Sequence, residues 1–133
     1  MKIIVCIDKS NGMLFNGRRQ SQDRVLREKI LSLLAGKKLY VNEYTAGQFE
    51  NTDNLYVGED FLQQAGCEDF CFVENAPIPA GAEEIYLFRW NRDYPADTYF
   101  TLELKPGYRK VKTEDFPGYS HKKITLDIYK KKG

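Results

Sequence analysis

The sequence predicts one α/β domain: a mixed sheet flanked by few helices, closing in an antiparallel hairpin at the C-terminal end. Three observations predict it. Residues 2 to 7 form a nearly continuous apolar, β-branched run, as expected of a strand buried on both faces in the middle of a sheet. Helical periodicity is concentrated in the first half of the chain. The last quarter holds two alternating strand-like runs separated by polar turn residues. The 133 residues fit a single core.

The first run meets Asp8-Lys9-Ser10-Asn11-Gly12, a turn in which Asp8 and Asn11 serve as turn residues. Met13 to Gln20 reads as a loop, with Asn16-Gly17 as a second turn signal. A helix follows, capped by Ser21 or Asp23. Its apolar positions are Val25, Leu26, Ile30, Leu33 and Leu34, and Gly36 stops it. Lys38 to Tyr44 reads as a strand, with Leu39 and Val41 on one side, and Thr45 to Phe49 as a short helical turn. Asn54 to Val57 is a short strand. Glu59 to Ala65 is a short helix stopped by Gly66, and Asp69 to Val73 a strand. Pro77, Pro79 and Gly81 mark a loop over Ala76 to Gly81. Ile85 to Trp90 is another strand, and Tyr99 to Leu104 is extended. Lys105-Pro106-Gly107 turns the chain into the strands Tyr108 to Thr113 and Lys122 to Tyr129.

Charged residues make up 29% of the chain and nearly cancel, for a formal net charge of +1. Dedicated nucleic-acid binders usually carry a strongly basic face, so that class is disfavoured. The terminal Lys130-Lys131-Lys132 run reads as a solvated tail. No apolar run approaches the roughly 20 residues of a membrane span. The start, M-K-I-I-V-C-I-D, lacks the apolar centre of a signal peptide, so a cytoplasmic location is expected. Cys6, Cys67 and Cys71 are read as free thiols. With one histidine, His121, no metal site is expected.

Two stretches carry a resemblance. Ile85 to Phe100 reads I-Y-L-F-R-W-N-R-D-Y-P-A-D-T-Y-F, and the N-terminus reads I-I-V-C-I-D-K-S-N-G-M-L-F-N-G. They resemble the late strand (L-Y-L-T-h-I-x-x-x-x-x-G-D-T-x-F) and the opening strand and substrate loop of the dihydrofolate reductase family. The closing I-Y-K-K-K is similar to the family's last strand. The resemblance implies a dihydrofolate reductase-like domain over residues 1–133 with a truncated cofactor-binding half. The family's long segment bearing P-x-G-R-x-N has no counterpart, since Phe49 leads within a few residues to Asn54-Leu55-Tyr56-Val57.

The family's chemistry does not carry over position by position. Its pterin-binding carboxylate on the first helix falls at Leu26, which neither accepts nor carries charge. Asp23 lies nearly a turn earlier and is read as a helix cap. The proline and tryptophan that seal the pterin correspond to positions within Arg18-Arg19-Gln20-Ser21. The supporting threonine of the late strand is Phe88. On the cofactor side Thr45 survives, but the phosphate arginine is Glu43, which repels phosphate. The glycine pair is Glu74-Asn75, and a loop containing Pro77 replaces the helix that presents backbone amides. Asp97-Thr98 and Phe100 are retained and report fold.

The resulting expectation is a non-catalytic relative, without dihydrofolate reductase activity or cofactor, that binds a partner protein, forms a homodimer, or serves as a small subunit. Tyr44, Trp90, Tyr94 and Tyr99 are its candidate interface aromatics; completing the core is their plainer role. The alternative is a divergent NADP(H)-dependent reductase or small-ligand binder using a remnant cleft of Val5, Cys6, Asp23, Leu26, Thr45 and Phe88. Arg18, Arg19, Arg24 and Arg27 would then contact an anion; a solvated basic helix end is their plainer role.

Overall fold

A computed structural model describes residues 1–50 and 52–133. The chain opens with β1 (Lys2–Ile7), then β2 (Gly12–Phe15), β3 (Arg18–Arg19) and α1 (Arg24–Leu34). Next come β4 (Leu39–Val41), α2 (Glu43–Ala46), β5 (Leu55–Val57), α3 (Phe61–Gln64) and β6 (Phe70–Phe72). It closes with β7 (Glu84–Arg89), β8 (Thr98–Tyr99), β9 (Tyr108–Phe116) and β10 (Ile124–Lys131). Among the described residues, seven strands form one sheet in the order β5-β4-β6-β1-β7-β10-β9. The strands from β5 to β7 are parallel; β10 runs antiparallel to both β7 and β9. This is the mixed sheet with few helices and a C-terminal antiparallel hairpin that the sequence predicts.

β1 is central because it can afford no solvent on either side. Ile3, Val5 and Ile7 face one layer with Phe61, Cys71, Val73, Leu87 and Phe100. Ile4 faces the other, where α1 lays down Leu26, Ile30 and Leu34 against Phe72, Phe88, Trp90 and Leu126. The four-residue spacing of those helix positions puts them on one stripe. Burying each contributes about 2 kcal/mol. Asp23 is the N-cap of α1, its carboxylate accepting from the Val25 and Leu26 amides. At the other end Ala35 (φ 50°) and Gly36 (φ 85°) are both left-handed, so the stop begins one residue before the glycine.

Three expectations shift. Met13 to Gln20 is not a loop: β2 and β3 pair with Phe15 opposite Arg18. Asn16 and Gly17, at φ 53° and 71°, fit the two-residue turn that matches strand twist. β8 adds to β2 and completes a small three-stranded sheet. The strand expected to reach Tyr44 ends at Val41, because the Asn42 side chain accepts from the Thr45 amide (3.0 Å) and starts α2 there. Of the extended stretch Tyr99 to Leu104, only Tyr99 belongs to a strand. No helix among the described residues is long and apolar enough to cross a membrane.

Candidate functional site

The parallel strands deliver their carboxyl ends to one edge of the sheet, where open α/β sheets place their ligands. Asp8 follows β1, Asn42 follows β4, Glu74 lies two residues past β6, and Trp90 follows β7. The β2–β3 hairpin and the start of α1 arch over them. Two polar clusters result.

The first centres on Glu74, a buried carboxylate at 9% exposure. Arg19 grips it from the hairpin, Nε to Oε2 at 2.9 Å and Nη2 to Oε1 at 3.1 Å. Such a two-pronged contact is the strong form of a carboxylate–guanidinium pair. The Thr45 hydroxyl donates to Oε1 (2.9 Å) and the Gln48 amide to Oε2 (2.9 Å). Arg19 also lies over the Tyr44 ring at 4.4 Å, and its backbone N–H donates to the Tyr44 hydroxyl (2.7 Å). Burial lowers the pKa of Arg19, but the hydrogen bonds and charge of Glu74 outweigh it and leave it raised. Cys6 lies under the pair. Burial pushes its thiol far up, Glu74 adds to that, and Arg19 opposes it. The cleft bounded by Cys6, Met13, Leu26, Phe72, Glu74 and Trp90 encloses only about 10 Å³, room for about one water molecule.

The second cluster joins the start of α1 to the turn between β9 and β10. His121, 3% exposed, donates from Nδ1 to Asp23 Oδ2 at 2.8 Å. The carboxylate requires a proton on Nδ1, and in the neutral ring the Nε2 lone pair then faces the opposite side. Nε2 faces the Ser21 hydroxyl at 3.1 Å and the Tyr94 hydroxyl at 2.9 Å. Trp90 stacks on the imidazole, centroid to centroid 4.6 Å. Asp23 also accepts from the backbone N–H groups of Tyr119 (2.9 Å) and Ser120 (2.9 Å). Burial pulls its carboxyl up, yet the bonds from Tyr119, His121, Ser120 and Leu26 outweigh that and hold it well below the usual carboxylate range. Gly118 sits so close that a Cβ there would meet Asp23 Oδ2 at 2.7 Å.

The hairpin is tied to the sheet by Asp8. Its carboxylate accepts from the Ser10 and Gly12 amides (2.8 Å each) and from the Gln20 side chain (2.9 Å). Burial raises this carboxyl, and those bonds, with one from the Tyr94 amide, more than offset it.

Of the expected cleft residues, Cys6, Asp23 and Leu26 line the small space, and Thr45 reaches its rim through Glu74. Val5 and Phe88 do not line it. Val5 packs in the opposite layer. Phe88 is wholly buried in the α1 layer with Phe116 edge-on at 6.2 Å. The four arginines also separate. Arg19 is committed to Glu74 and Arg18 is exposed on the hairpin. Arg24 lies over Tyr119 at 4.3 Å and borders a surface groove with Arg27. Glu43 is exposed at the start of α2, and its N–H donates to Glu59 Oε2. Among the proposed interface aromatics Trp90 is buried, and Tyr44 and Tyr94 spend their hydroxyls internally. Tyr99 is 48% exposed. All three cysteines are free.

Sequence reasoning missed Glu74 as an ion-pair partner and His121 as the hub of the second cluster. Both depend on partners about fifty to a hundred residues away in sequence, which no local pattern reports. The available hint was a lone histidine in a glycine-bearing turn.

No family model matches the chain, and no curated protein matches it. Among solved structures it is similar to dihydrofolate reductase from Enterococcus faecalis complexed with NADP(H) and RAB-propyl. The TM-score is 0.70 at 13% identity, over 99% of this chain and 96% of that one. The fold is therefore dihydrofolate reductase-like, as the sequence resemblance implies; at that identity the likeness speaks for the fold alone.

Proposed function

We propose that the chain keeps the dihydrofolate reductase-like fold without dihydrofolate reductase activity, a scaffold that binds a protein partner, a second copy of itself, or a larger assembly as a small subunit. One observation supports this above the others. The donors that could meet a ligand's phosphate or carboxylate, Arg19, Thr45 and Gln48, are already satisfied by Glu74 of the same chain. A dinucleotide would have to displace a buried, multiply bonded carboxylate and add its own negative charge beside it. Without the dinucleotide, hydride transfer has no source. The exposed Phe15 (42%) and Tyr99 (48%) on the small sheet are the apolar groups offered to a partner.

The second reading, a divergent reductase or small-ligand binder, draws on the same geometry. If Glu74 swings out, three convergent donors face an anion, and NADP(H), which the Enterococcus faecalis enzyme holds, is the natural candidate.

Titration with NADPH and with NADP+, followed by calorimetry and thermal shift, separates the two. The scaffold reading expects no saturable heat and no stabilisation. Saturable stabilisation in the micromolar range would overturn it in favour of a reductase. Sedimentation velocity then addresses the partner. A dimer that Phe15→Ser with Tyr99→Ser splits makes the partner a second copy; a monomer points to another protein.

A further inference from the structure

The second cluster has a geometry that capping a helix does not require. Ser21 Oγ, His121 Nε2, His121 Nδ1 and Asp23 Oδ2 follow one another at 3.1 and 2.8 Å across the ring. Asp23 is held by backbone amides and His121 by the face of Trp90, so neither side chain needs to reorganise to act. Ser21 is half-buried, whereas Asp23 and His121 are buried. A hydroxyl, a base and an orienting carboxylate in that order make an activated nucleophile, recognised by geometry and not by chain position.

We propose that Ser21 is a nucleophile that accepts acyl groups from small activated esters or thioesters, with His121 as its base and Asp23 as the positioning residue. As the Ser21 Oγ bonds to the acyl carbon, its proton passes to His121 Nε2. The adduct expels the alkoxide or thiolate, which leaves with that proton. Water then gives a proton to Nε2 and adds to the acyl-serine, and Ser21 departs and recovers the proton. Ester and water become acid and alcohol. Ser21 itself borders the small cleft beside Glu74, and a solvent-open groove of about 390 Å³, which Ser21 does not line, lies next to it at Gln22 and Asp23, with Arg24 and Arg27 on its wall. An acyl group that reaches Ser21 from the groove passes the two cations, which favours one bearing an anionic substituent.

Tyr94 supplies a discriminating feature. Its hydroxyl lies 2.9 Å from Nε2, closer than Ser21, and 3.4 Å from Ser21 Oγ, so it contacts both the base and the nucleophile. Removing it leaves the base to the serine alone.

The test is covalent labelling of the whole chain with a fluorophosphonate, read by intact mass and peptide mapping, alongside hydrolysis of p-nitrophenyl acetate. One adduct on Ser21 is expected, lost in Ser21→Ala and slowed on the order of a hundredfold in His121→Gln. Tyr94→Phe is expected to label several-fold faster, which a merely structural hydroxyl would not produce. Asp23→Asn is expected to shift the pH profile of labelling. Thermal melts confirm that each variant is folded, and Ser21→Ala and Tyr94→Phe remove little enough to remain so. No adduct on the folded chain, an adduct elsewhere, or unchanged labelling in Ser21→Ala overturns the proposal. It goes beyond the scaffold reading and fails separately from it: nucleotide titration reads the Glu74 cleft, and labelling reads Ser21.

Discussion

Glu74 is the residue on which the first cluster turns. With its side chain removed, Arg19 keeps a largely buried charge with no carboxylate facing it, and Thr45 and Gln48 lose their acceptor. Glu74→Ala is therefore expected to destabilise by about 3 kcal/mol in chemical denaturation, with Glu74→Gln milder because it keeps an acceptor. Asp23 makes a different prediction, in pH. Its folded pKa is depressed below the unfolded value near 4. The carboxyl thus contributes stability that is fully present above about pH 4 and is lost as pH falls through the depressed value. Melting midpoints from neutral pH down to about pH 3 should fall more steeply for the wild type than for Asp23→Asn, which cannot titrate. Asp8 and Asp127, also depressed, add slope of the same sign in both proteins.

Among the elements, α1 carries the clearest local strain. Ala35 closes it in the left-handed region at φ 50°, ψ 45°, where a Cβ costs about 1–2 kcal/mol. Ala35→Gly is expected to raise stability by about 1 kcal/mol in denaturant melts, since Ala35 is exposed and no packing is lost. The β2–β3 hairpin is the opposite case, a local signal followed to only half its meaning. Asn16-Gly17 was legible as a turn, but a turn becomes a hairpin only when its flanks find partners. Here Leu14 pairs with Arg19 on one side and Thr98 on the other. The second partner lies far along the chain.

Across the whole molecule, order in the sheet sets the order of opening. β6, β1 and β7 are interior strands with buried side chains on both faces. β9 is an edge strand exposed over most of its length, and β5 is the opposite edge. Native-state hydrogen exchange should find the slowest amides in β1, β6 and β7 and the fastest strand amides in β5 and at Arg109 to Thr113 of β9. Equal protection across the sheet would show that the edges are covered in solution, as partner binding along an edge would produce.

Much of this fold is legible in the sequence. β1 declared itself as a central strand because residues 2 to 7 form a nearly continuous apolar run, and α1 because Leu26, Ile30 and Leu34 recur at helical spacing. These signals are local: burial pattern and backbone preference act within a few residues. The resemblance of Ile85 to Phe100 to the dihydrofolate reductase strand extended them to the order of elements. The candidate site was readable only in what it lacks, a carboxylate at Leu26 and a glycine pair at Glu74-Asn75. What fills the gap was not readable. Glu74 meets Arg19 and His121 meets Asp23 only because the sheet brings strand ends and distant turns to one edge. Whether a buried carboxylate is a repulsive charge or half of an ion pair is settled by that three-dimensional approach, since electrostatic and hydrogen-bond energies depend on distance in space and not along the chain.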